Sequence, residues 1–142
     1  MNFKDIHIGE LIEKRISETA IETSRICNFM NCTEVEIKKM YSSKDLNTDI
    51  LLRWSKLLEY DLFRIYSQHL ILFAPQSNGN RNKTLEKNKS TLPSFRKNIY
   101  TKEVIDFILN QLDTGEKTKN QIIEEYRIPK TTLHKWIDKY KV

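Results

Sequence analysis

The chain has 142 residues, 39% of them apolar and 30% charged, with a formal net charge of +5. That length allows one ordinary domain or two small ones. With three Gly and three Pro, β-turns are scarce and an all-α fold is expected. The first ten residues, MNFKDIHIGE, lack an apolar h-region, and the longest apolar run, Leu70 to Ala74, is far short of the ~20 residues of a membrane span. A cytoplasmic, nucleoid-associated location and no membrane partner are therefore expected.

Residues 3–16 place Ile8, Leu11, Ile12 and Ile16 on one helical face. A second helix over 20–30 turns Ile26, Cys27 and Met30 inward, and Asn31, Cys32 and Thr33 make a turn. A third helix over 34–41 carries Val35, Ile37 and Met40 as its apolar set. Asn47 and Thr48 are suited to cap a fourth helix, striped by Ile50, Leu51, Trp54, Leu57 and Leu58. A fifth begins near Asp61 with Leu62, Phe63, Tyr66, Leu70 and Phe73, and Pro75 ends it.

Charge divides the chain further. Residues 1–75 hold 10 Lys+Arg against 11 Asp+Glu, residues 76–98 concentrate the positive excess, and residues 101–142 hold 8 against 7. Residues 76–98, QSNGNRNKTLEKNKSTLPSFRKN, are rich in Asn, Ser and Lys and read as a basic flexible linker. Its Arg81, Lys83, Lys87, Lys89, Arg96 and Lys97 suit phosphate or minor-groove contacts.

Regular structure resumes with Thr101 as a cap and a helix striped by Val104, Ile105, Ile108, Leu109 and Leu112, closed by Gly115 at the C′ position. Residues 118–140, TKNQIIEEYRIPKTTLHKWIDKY, then read as helix, tight turn and helix. Ile122, Ile123, Tyr126, Ile128, Leu133 and Trp136 form the inward set, and Pro129 suits the first turn of the second helix. The outward set is Lys130, Thr131, Thr132, His134 and Lys135. Short polar and cationic side chains on a helix match base edges and phosphates in a major groove.

Residues 99–142 resemble the helix-turn-helix domain of insertion-sequence transposases, through Tyr126-Arg127-Ile128, Thr132-Leu133 and Trp136. Arg127 stands where that family has its turn glycine, a position of positive φ. The resemblance extends to DNA binding alone, since the catalytic domain of a transposase needs three carboxylates on a mixed α/β fold. Ile26, Cys27, Met30, Asn31, Cys32, Ile37 and Met40 repeat the same spacing, with one helix before and two after. Within a domain of residues 1–75, residues 6–73 thus resemble the five-helix domain of lambda-repressor-like regulators. That resemblance assigns base or backbone contacts to Thr33, Glu34, Lys38 and Lys39, then to Ser42, Ser43 and Lys44.

Cys27 and Cys32 fall on core positions of this pattern, and no His or Cys cluster completes a zinc site. No phosphate-binding glycine loop or nucleophile elbow occurs, so neither cofactor, metal nor enzymatic activity is expected. The expectation is a sequence-specific DNA-binding protein, a transcriptional regulator or the DNA-recognition subunit of a mobile element. Its partners would be double-stranded DNA, a second copy in a homodimer, and a separate recombinase or regulatory protein. The alternative is an interaction or dimerisation protein in which only residues 99–142 bind DNA.

Overall fold

A computed structural model describes residues 3–74, 91–93 and 99–140. Among these residues every regular element is a helix and none is a strand. In chain order they are α1 (Ile8–Thr19), α2 (Thr23–Met30), α3 (Glu34–Tyr41), α4 (Thr48–Leu57), α5 (Phe63–Phe73), α6 (Lys102–Asp113), α7 (Lys119–Tyr126) and α8 (Lys130–Tyr140). The chain forms two compact units that divide at Ser67 and Gln68, inside α5.

The N-terminal unit is built on Ile8, Ile12, Ile26, Met30, Ile37, Leu51, Trp54, Leu57, Leu58, Leu62 and Ile65, all buried. α1 starts at the first residue of its apolar stripe, Ile8, rather than at residue 3, and His7 caps it by accepting the Glu10 N–H through Nδ1 at 3.3 Å. α1 also docks against the end of α3: Ile8 and Gly9 donate their N–H groups to the carbonyls of Lys44 (3.2 Å) and Ser43 (3.1 Å). α3 matches its expected bounds because Thr33 and Glu36 close a capping box at its start. Val35, one of the apolar set expected on this helix, is 77% exposed. Only Ile37 of α3 is fully buried, with Met40 and Tyr41 half-buried beside it, and Val35 lies away from that side of a 3.6-residue turn.

The C-terminal unit buries Val104, Ile105, Ile108, Leu109, Ile122, Tyr126, Ile128, Leu133 and Trp136. α8 packs on both α6 and α7. The second half of α5 belongs to this unit: Leu72 is buried, Phe73 meets the Tyr126 ring edge-on at 6.0 Å, and Leu70, expected in the apolar stripe, is exposed. Buried Gln68 donates its amide to the Ile99 carbonyl (3.1 Å) and accepts the Thr101 N–H (3.3 Å), fixing the entry to α6. Tyr126 donates its hydroxyl to Gln111 (3.1 Å), and Lys117 bonds both that hydroxyl (3.0 Å) and the Glu125 carboxylate. Burial works against the Lys117 charge, but these bonds outweigh it and raise its pKa.

Candidate nucleic-acid interface

α7 and α2 are each eight residues long, and each is followed by a three-residue turn and a further helix. The first turn residue is left-handed in both, Asn31 with φ 53° and Arg127 with φ 51°. A left-handed residue reverses the chain sharply after a helix, which lets a short turn bring the next helix back onto the same core. Asn tolerates that conformation well because its short polar side chain can hydrogen-bond locally, a compensation the long Arg127 side chain lacks. Corresponding core places hold Ile26 and Ile122, Met30 and Tyr126, Ile37 and Leu133, all buried.

The second helices of the two segments differ in what they present. On α8, Lys130, Thr131, His134 and Lys135 are exposed and Thr132 is half-buried, opposite the buried pair Leu133 and Trp136. The Pro129 carbonyl takes the N–H of Leu133 at 3.1 Å, so Pro129 stands at the cap, one place before the first helical residue. No acidic residue occupies the first turn of α8. Among the described residues Lys130 and Lys135 make no ion pair, so their charge is open to a ligand.

On α3 the equivalent groups are engaged internally. Lys38 pairs with Glu34 at 2.8 Å, and their hydrogen bond lowers the Glu34 pKa and raises that of Lys38. Thr33 donates its N–H (2.7 Å) and hydroxyl (2.9 Å) to Glu36, holding that carboxyl below its ordinary range. Ser43 donates its hydroxyl to the Lys39 carbonyl at 2.8 Å. Lys44 pairs with Asp5 at 2.6 Å, which lowers Asp5 and raises Lys44. Of the three N-terminal candidate lysines only Lys39 makes no ion pair among the described residues, and it is exposed. The i,i+4 spacing of Glu34 and Lys38 is readable in the sequence; the Asp5–Lys44 pair depends on the docking of α1. The linker candidates Arg81, Lys83, Arg96 and Lys97 lie outside the described residues.

These carboxyl shifts set a pH expectation. Groups whose folded pKa is depressed stabilise the fold above their unfolded values and lose that contribution as pH falls through the folded ones. Asp5, Glu34 and Glu36 all act this way in the N-terminal unit. Amide exchange followed between pH ~5 and ~2 is expected to show α3 losing protection at higher pH than α8. Earlier loss in α8 would contradict this assignment.

Among the described residues no helix is long and apolar enough to cross a membrane, and no group of three or more His, Cys, Asp or Glu is placed to hold a metal ion. The chain matches no protein-family model, no curated protein and no solved structure.

Proposed function

We propose that the chain is a non-enzymatic, sequence-specific DNA-binding protein in which α8 enters the major groove. It would serve as a transcriptional regulator or as the DNA-recognition subunit of a mobile element. One observation carries this reading: Lys130, Thr131, His134 and Lys135 share the exposed side of a helix set by a three-residue turn, with both lysines unpaired among the described residues. A major groove accommodates a helix of this width, cations neutralise phosphates, and hydroxyl or imidazole groups bond base edges. In this reading the five N-terminal helices form a lambda-repressor-like unit and the last three a transposase-like helix-turn-helix.

The N-terminal unit supports a second reading, as a module that binds protein or a second copy of the chain. The Glu34–Lys38 and Asp5–Lys44 pairs and the Thr33–Glu36 cap take up most of its candidate DNA contacts. The two acidic residues in the first turn of α3 would face phosphates unfavourably. Exposed Val35 offers apolar surface on the same helix.

Selection of bound sequences from a random duplex pool tests both readings with the whole chain. Thr131→Ala and His134→Ala are each expected to relax the preference at defined base positions, whereas Lys39→Ala leaves the selected site unchanged. No enrichment by the unsubstituted chain would remove the DNA reading. A site altered as much by Lys39→Ala as by the α8 variants would return the N-terminal unit to the interface.

A further inference from the structure

We infer that Cys27 and Cys32 form a redox pair, closing to an intramolecular disulfide across the turn between α2 and α3 under a small-molecule disulfide oxidant. The backbone places them together. Asn31 is left-handed, and both its N–H and that of Cys32 (3.2 Å) reach the Cys27 carbonyl. This six-residue closure ends a helix and sets the side chains of its first and last residues against one another. Here those residues are the two cysteines. Both are free and half-buried, packed at the edge of the N-terminal core, so a small oxidant has access from one side. In the C-terminal segment the equivalent places hold Ile123 and Ile128, also at the end of a helix and in its turn. Both places thus carry apolar side chains in either segment, and cysteine fills them while adding thiol chemistry.

The exchange balances with glutathione disulfide as oxidant. One cysteine thiolate attacks a glutathione sulfur, breaking its S–S bond, forming a mixed disulfide and releasing one glutathione thiolate. The second cysteine thiolate then attacks the protein sulfur of the mixed disulfide and releases the other glutathione. The cysteines together lose two electrons and two protons, and one glutathione disulfide becomes two thiols. Burial first, then the Cys27 sulfur and Glu36, push the Cys32 thiol up, with Arg53 opposing, so exchange quickens as pH rises.

The test is equilibration of the whole chain in glutathione redox buffers, folded and in urea, read by intact mass and by non-reducing peptide mapping. The expected product is a Cys27–Cys32 link lighter by about 2 Da, reversed by reductant. A turn that holds the thiols together gives an effective thiol concentration at least about tenfold higher in the folded chain than in urea. An equal or lower value in the folded chain, or only mixed disulfides with glutathione, would overturn the inference.

Discussion

Replacing Gly9 by alanine is expected to unfold the N-terminal unit while the C-terminal unit keeps its structure. A Cβ at Gly9 would stand 2.3 Å from the carbonyl oxygens of Met40 and Tyr41 and 2.6 Å from that of Ser43. All three obstacles are backbone atoms at the end of α3, so no side chain can rotate away to make room. Relief requires α1 to lift, which breaks the bonds from Ile8 and Gly9 to Lys44 and Ser43 and opens the contact between buried Ile8, Ile12 and Ile37. Overpacking that moves backbone costs about 1–3 kcal/mol and occasionally more, a large share of the stability of a unit this small. Two-dimensional amide NMR should lose the dispersed resonances of α1 to α4 and keep those of α6 to α8. Gly115 is the control. Its φ is +72°, and a Cβ added there would meet nothing within 4 Å, so alanine costs only about 1 kcal/mol of left-handed strain. A Gly9→Ala chain as stable as the Gly115→Ala chain would refute the close approach of α1 to α3.

Trp136→Ala should produce the opposite pattern, melting α6 to α8 and sparing the N-terminal unit. The indole is 9% exposed and meets the Tyr100 ring edge-on at 4.8 Å. It is the largest side chain α8 contributes to a core that includes Val104, Ile108, Ile122 and Leu133. Removing a buried indole costs about 3–5 kcal/mol, a large share of the stability of a unit this small. On the proposed DNA-binding reading, duplex binding should disappear with the fold. Lys135→Ala, an exposed change on the same helix, should leave the NMR spectrum of the unit intact. Retention of α6–α8 resonances in Trp136→Ala would mean that the indole is not a keystone of that core.

Local signals carried much of this architecture. The capping residue Thr33, the αL-tolerant Asn31 and the apolar spacing of Ile26, Met30 and Ile37 locate α2, its turn and α3 from sequence. Arg127 is left-handed at the first residue of the turn after α7, although a long side chain gives no local sign of that conformation. What was not legible depends on residues far apart in the chain. Nothing around Gly9 announces that three carbonyls from residues 40–43 come to rest on it. Gln68 reads as one of four polar residues on α5, with Arg64, Ser67 and His69, yet it is buried because Ile99 and Thr101 bring it backbone partners. Tyr100 gains its role only when α8 carries Trp136 to it. The resemblance assigned DNA contacts to Lys38 and Lys44; only the fold pairs Lys44 with Asp5, while Glu34 holds Lys38 on its own helix.

The most direct test of the α8 interface is the salt dependence of duplex affinity, measured by fluorescence anisotropy on the whole chain, on Lys130→Ala/Lys135→Ala and on Lys39→Ala. Each phosphate neutralised contributes about −0.9 to the slope of log affinity against log salt. The double variant on α8 is therefore expected to bind all duplexes more weakly, with a slope shallower by about 2, and Lys39→Ala to leave the slope where it was. Failure of the unsubstituted chain to bind any duplex at low salt, or an unchanged slope in the α8 variant, would contradict the account.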